Sequence, residues 1–262
     1  MTFSKARNIT IIGAVLAFSL VFWGLSIVKK QGQKQAPSTT VATAFADSVA
    51  WISTARNAMS GDTADLVDQL ADELNGSENS QARIESLKRL SGIYYRANQF
   101  AAAGLAAQRV AELEKSGEAW NIAGSTFAAC ISEGGMAQMT EQCQQRAIEC
   151  YEKAILLDSN NVEYQIGLAN VYISKPLQDN PMKGIQMLLS LNKKHPENIS
   201  VLNLLGQLAI KTGQHDKAIA RLEKALTLDG KNKQTICLLA QAYQAAGQAA
   251  KASEMEKLCN IH

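Results

Sequence analysis

Five cysteines, at 130, 143, 150, 237 and 259, and three histidines, at 195, 215 and 262, are the residues whose chemistry must be weighed first. No two cysteines form C-x-x-C, so the usual structural-zinc and thioredoxin spacings are absent. The histidines are scattered, and none stands at metal-ligand spacing from a cysteine or carboxylate. The patterns G-x-S-x-G, H-E-x-x-H and the phosphate loop do not occur, and Gly134-Gly135 is not followed by Gly-Lys-Ser/Thr. These residues point to no catalysis, no cofactor, no metal and no small-molecule substrate. The covalent chemistry left open is oxidation. Cys130 falls near the end of one expected helix and Cys143 near the start of its partner, and the two ends of a helical hairpin lie close. A disulfide there would close a short loop, worth roughly 3 kcal/mol if unstrained. The alternative is a pair of small buried thiols. Cys150, Cys237 and Cys259 read as packing residues.

The elements that must position these residues read as helices. Ala, Leu, Gln, Lys and Glu dominate the long middle of the chain and lose little side-chain freedom in a helix. There are only four prolines among 262 residues, and aromatics are 6%. Charge argues against nucleic acid as a partner. The first thirty residues hold Lys5, Arg7, Lys29 and Lys30 and no acids. Taking those four from the 26 Lys and Arg leaves 22 against 24 Asp and Glu, a net of −2. Phosphate binding needs clustered excess positive charge.

Residues 9–28, ITIIGAVLAFSLVFWGLSIV, carry no charge, and as a helix would span about 30 Å, the thickness of a bilayer core. The run is longer than a signal-peptide apolar region, and the nearest A-x-A triplet, at 42–44, lies well beyond the flanking lysines. The expectation is a short tail over 1–8, a single uncleaved transmembrane anchor over 9–28 and a flexible linker over 29–43. Basic residues flank the span on both sides, so the positive-inside count is balanced.

Self-similarity organises the rest. TGQHDKAIARLEKA lies beside AGQAAKASEMEKLC: Gly213 and Gly247 are 34 residues apart, as are Ala218 and Ala252, Leu205 and Leu239, and Leu202 and Ile236. Period and residue order resemble the tetratricopeptide repeat (TPR), in which large residues form the seam between two helices and small ones let backbones approach. The clearest copies occupy 199–232 and 233–262, the latter with Glu256 at a normally apolar position, as suits a terminal cap. Weaker copies follow upstream at 162–198, with an extra turn KPLQDNP whose Asn180 and Pro181 read as N-cap and first helical residue. Others lie at 117–161, with about eleven inserted residues around Gly134-Gly135, and at 84–116. A helical pair without motif residues precedes them at 44–83. The expected fold is therefore all-α: a TPR-type superhelical stack of antiparallel helical hairpins over 84–262, preceded by a single transmembrane helix.

The resemblance implies function through a groove lined by the first helix of each hairpin. Mapping the family's groove positions gives Lys88, Tyr95 and Arg96, then Asn121, Ser125, Ile166, Asn170, Ile173, Asn203, Gln207, Gln241 and Gln244. Amides and hydroxyls both donate to and accept from an extended peptide backbone, with apolar groups adding pockets. The two-carboxylate clamp of chaperone-binding relatives is broken, because Gly92 and Glu163 stand where it needs Asn and Lys. The resemblance thus implies a protein or peptide partner, no nucleic acid and a non-catalytic scaffold or assembly factor. Its expected place is the bacterial inner membrane, single-pass, with the C-terminal domain in the periplasm and the membrane held through the N-terminal helix. Alternatives are a cytoplasm-facing docking receptor or chaperone adaptor and, more narrowly, an assembly factor for cytochrome c.

Overall fold

Polar caps start every second helix, and short turns join them. The computed structural model describes residues 49–134 and 136–261, all of the regular structure being α-helical. The helices are α1 (49–57), α2 (Gly61–Gly76), α3 (Ser80–Arg96), α4 (Phe100–Glu114), α5 (Gly117–Glu133) and α6 (Ala137–Leu157). They continue as α7 (Val162–Ser174), α8 (Lys183–Lys194), α9 (Ile199–Lys211), α10 (His215–Leu228), α11 (Lys233–Ala245) and α12 (Ala249–Ile261). The expected tail, anchor and linker, 1–43, lie outside the described residues. Among the described residues no helix is long and apolar enough to cross a membrane.

The helices pair in chain order, each packing chiefly on its sequence neighbours. Local chemistry sets the starts. Asn79, Ser116, Asn161, Asn198 and Asn232 precede α3, α5, α7, α9 and α11, and each side chain accepts a backbone N–H of the first turn. These are the first helices of five successive hairpins. Small residues then meet large ones across the seams. Tyr151 of α6 lies between Gly124 of α5 and Gly167 of α7, where an added Cβ would stand 3.0 and 2.3 Å from its ring. Gly206 of α9 meets Leu222 of α10 in the same way, at 2.7 Å.

A common turn ties the weak upstream copy to the strong ones. Gly213 and Gly247 both adopt positive φ (70° and 73°), and the following Gln214 and Gln248 donate their N–H groups to Ala209 O and Tyr243 O. Between α3 and α4 the same place is held by Asn98, at φ 57°, with Gln99 N–H donating to Tyr94 O at 2.8 Å. Asn is the non-glycine residue that most readily enters this left-handed region, because its short amide bonds locally.

Three sequence expectations are corrected. The inserted residues after α5 form less a loop than longer helices: α5 runs 17 residues to Glu133, Gly134 (φ 77°) breaks it, and α6 extends to 21. Asn180 does not cap α8 with its side chain. Its carbonyl takes the Lys183 N–H at 3.2 Å in a preceding turn, and α8 begins two residues beyond Pro181. Cys237 and Cys259 are not simple packing residues, since they are disulfide-bonded, with Cα atoms 5.1 Å apart. Antiparallel pairing sets the second turn of α11 opposite the last turn of α12, which a sequence separation of 22 conceals. Cys130 and Cys143 are also bridged, Cα to Cα 6.2 Å, joining the end of α5 to the start of α6. Cys150 remains a buried thiol, pushed up to about 12 chiefly by burial, and so stays protonated and unreactive. Glu256 is exposed on α12, where among the described side chains only Ala252 is buried.

Candidate functional site

A cleft of about 530 Å3 opens over α3, α4 and α5. Its walls come from the exposed side of α3 (Lys88, Ser91, Gly92, Tyr95, Arg96), from Ala107, Val110 and Glu114 of α4, and from Ser116 with Glu118, Ala119, Ile122 and Thr126 of α5. Local sequence explains the opening. Gly92 lacks a side chain, and a Cβ there would meet nothing nearer than Arg96 Nη1 at 3.5 Å, so the floor of the cleft is open. Lys115 at the end of α4 takes a left-handed conformation (φ 54°), and Ser116 at once caps α5 by accepting the Ala119 N–H at 3.1 Å. The sharp corner sets α5 across the cleft mouth.

Two sorts of side chain face this space. Tyr95 and Ile122 are about half exposed, at 48% and 50%, which for large apolar groups on helices leaves area a partner could cover. Tyr95 is steadied by Phe100, edge to face with centroids 5.0 Å apart. Among the charges, Lys88 Nζ pairs with Glu114 Oε1 at 2.6 Å and bridges α3 to the end of α4. Arg96 and Glu118 form no ion pair among the described residues. Ser91 and Thr126 spend their hydroxyls on the Ala103 and Ile122 carbonyls. The cleft thus offers two apolar anchors, a free guanidinium and a free carboxylate. None of its described lining side chains is a nucleophile hydrogen-bonded to a base.

Lys88, Tyr95 and Arg96, all mapped to the groove, lie together at this cleft. The other mapped positions do not. Asn121 is half-buried and Ser125 is exposed with its hydroxyl on Ile122 O, while their neighbours Ile122 and Thr126 line the cleft. Ile166 is 7% exposed in the core with Leu188 and Val201, and Ile173 packs against that same cluster. Asn203, 1% exposed, is a structural residue: its Oδ1 lies 2.9 Å from the hydroxyl of the wholly buried Thr235, joining α9 to α11. Burial removes Ile166 and Asn203 from any open groove. Asn170, Gln241 and Gln244 are exposed and Gln207 is half-buried, and none lines the α3–α5 cleft. Ile122 is the residue the mapping missed. Its signal is an isoleucine between two groove positions on the first helix of a hairpin.

Among the described residues no group of His, Cys, Asp and Glu is placed to hold a metal ion. Residues 135–236 match the family described as the cytochrome c-type biogenesis protein H TPR domain. A relative from Haemophilus influenzae, a cytochrome c-type biogenesis protein CcmH, is 26% identical over 115 residues. That stretch is 44% of this chain and 25% of the relative, so the chain spans about a quarter of the relative's length. Among solved structures, MamA is 19% identical with a TM-score of 0.40, covering 67% of this chain and 89% of that one. YrrB, a TPR protein with an unusual peptide-binding site, is 14% identical with a TM-score of 0.38, covering 72% and 90%. BtubC from P. vanneervenii is 15% identical with a TM-score of 0.47, covering 77% and 91%. With its period, its caps and its small-to-large seams, and with the match over 135–236, the chain carries a tetratricopeptide-type domain.

Proposed function

We propose that this chain is a non-catalytic assembly factor of c-type cytochrome biogenesis, holding an extended segment of a protein partner in the α3–α5 cleft. The observation that carries the reading is the cleft itself, with exposed Tyr95 and Ile122 and the unpaired Arg96. The match over 135–236 supports the choice of process. An extended segment would lay apolar side chains against Tyr95 and Ile122 and set a carbonyl or carboxylate toward the Arg96 fork. The domain is placed on the oxidising side of a bacterial inner membrane. What supports this is that four of the five cysteines are bridged, and such bonds persist outside the cytosol. The same bridges weigh against a cytoplasmic docking receptor.

The test pairs a cellular readout with a binding one. Loss of the protein is expected to lower covalently attached haem c, seen by haem staining. The purified full chain is expected to bind fluorescent apocytochrome c peptides, with Tyr95→Ala plus Ile122→Ser weakening the best of them tenfold or more. Unchanged haem c in the deletion strain would remove the process. Equal binding by the double variant would remove the cleft. Alkaline phosphatase fused to the C-terminus should be active, and an inactive fusion would overturn the placement.

A further inference from the structure

The repeat supplies its own control for surface residues. The second helices α6, α8 and α10 align through Ala147, Gly184 and Ala218, and again through Ala154, Leu191 and Ala225. Where α10 presents Asp216, Glu223 and Thr227 to water, α8 and the residue just before it present Leu189 and Met182, and α6 presents Leu156. Leu156 is 85% exposed, Met182 49% and Leu189 47%. Single exposed apolar residues are ordinary. Here three replace polar counterparts, and two of them edge one cavity.

That cavity is a cleft of about 370 Å3 between α8 and α10, floored by Leu205 and Leu208 of α9. It opens where the joint between successive hairpins, α8 to α9, is the loosest along the array. Its charged lining is Lys217 and Arg221, with no acid. Lys217 Nζ donates to Gln214 Oε1, and Arg221 reaches the Leu205 carbonyl only at 3.4 Å. Neither forms an ion pair among the described residues.

Leu156 has the opposite surroundings. It stands with exposed Leu157 at the tip of α6, one turn beyond Glu152 and just before Asp158, both exposed. The nearest cation in sequence, Lys153, is turned aside over the Trp120 ring, 4.1 Å from its centroid. One chain therefore carries an apolar knob edged by acids and an apolar socket edged by cations.

We propose that the α6 tip of one copy docks in the α8–α10 cleft of a second copy, with Leu156 in the socket and Glu152 and Asp158 facing Lys217 and Arg221. Knob and socket sit on different hairpins, so each copy can give its knob to one neighbour and take that of another, a head-to-tail contact that builds rows or rings. Burying the leucine supplies attraction, and the charges set the register.

The test uses the full chain in cells holding two differently tagged copies, one with the photocrosslinker p-benzoylphenylalanine at position 156. An adduct between the two tags, mapped by mass spectrometry to 182–221 of the acceptor, is expected. Leu189→Glu in the acceptor copies the α10 residue at an exposed site, and should cut the adduct tenfold or more. Glu152→Lys with Asp158→Lys in the donor should do the same, and Lys217→Glu with Arg221→Glu in the acceptor should restore it. Absence of an inter-copy adduct, adducts elsewhere on the chain or only on another protein, or adducts indifferent to both sets of substitutions would overturn the proposal. Circular dichroism of each variant confirms that it is folded, and the charge swap keeps the result decisive if Leu189→Glu is not.

Discussion

Cutting the Cys237–Cys259 bridge should release the last helix of the array while leaving the rest folded. The bridge closes a loop of 22 residues. By the chain-entropy argument, a loop of that length is worth about 3.4 kcal/mol at 25 °C. Noncovalent contacts holding α12 are few among its described side chains. Ala252 alone is buried, Met255 packs partly against Leu239 and Tyr243, and Lys251 Nζ stands over the Tyr243 ring, 5.0 Å from its centroid. Burying one methyl and part of a thioether contributes about 2 kcal/mol, and a helix of 13 residues is marginal alone in water. The covalent term is thus the larger one. Because each repeat of such an array leans only on its neighbours, the loss stays local.

Cys259→Ser, with Cys237→Ser to remove the partner thiol, tests this in the full chain. Hydrogen exchange read by mass spectrometry is the assay, since it resolves opening segment by segment. A penalty of about 3 kcal/mol corresponds to a fall in α12 protection of roughly a hundredfold. Peptides over 199–228 should change far less. The same pattern should follow a thiol reductant added to the unmutated chain. Unaltered protection over 249–261 in the double variant would show that packing, not the bridge, holds α12. Equal loss of protection through α9 and α10 would refute the local, neighbour-by-neighbour account.

Two glycines of the same chain should respond oppositely to alanine. At Gly184 a Cβ would lie 2.5 Å from the Ala169 carbonyl oxygen and 2.9 Å from the Ile173 nitrogen, backbone atoms that cannot step aside. Gly184→Ala should therefore cost about 2 kcal/mol or more in denaturant unfolding, whereas Gly92→Ala, with nothing nearer than 3.5 Å, should be neutral or stabilising by up to about 1 kcal/mol. Alkaline pH gives a further test through Tyr151 and Tyr243, both pushed up to about 12 by burial, Tyr243 also by donating its hydroxyl to Glu223. Neutral phenols are favoured in the folded state, so their stabilisation is complete below the ordinary tyrosine pKa near 10 and is lost as pH rises from there toward 12. Thermal melts over pH 9–12 should fall in that window, and less steeply in Tyr243→Phe.

The repeats were legible where a residue type has one packing reason. Leu202, Leu205, Gly206, Ala218 and Leu222 sit in the core because their 34-residue spacing returns each to the same seam. The upstream copy was fainter because Asn98 does the work of Gly213 through a different side chain. What sequence could not give was the depth of each groove position. Ile166 and Asn203 occupy first-helix positions like those of Asn121, yet are buried, because neighbouring hairpins close over them through Val201 and Thr235. Around α3–α5 the corresponding surface stays open, since Gly92 and the corner at Lys115 hold the walls apart. The Cys237–Cys259 pair escaped for a similar reason. Its partners become neighbours only once α12 folds back on α11, a long-range fact that periodicity does not encode.

The positions of the two bridges bear on where such a domain can be complete. Interior repeats are held from both sides, so the ends and the irregular joints are where an array opens first. One bridge closes the final hairpin. The other joins α5 to α6 beside the surface that receives α1, whose Trp51 is buried in the cluster that contains Cys130 and Phe127 and lies under the Arg146 guanidinium, 5.5 Å away. Reduction would thus loosen the array at its C-terminal end and at the joint that seats its first described helix. A thiol-rich cytosol would leave the first point to a polar α12 with one buried alanine among its described side chains, and the second to the Trp51 and Ala55 contacts of α1 and its Arg56–Asp68 ion pair. The distribution of the bridges, more than their number, supports the oxidising compartment proposed above.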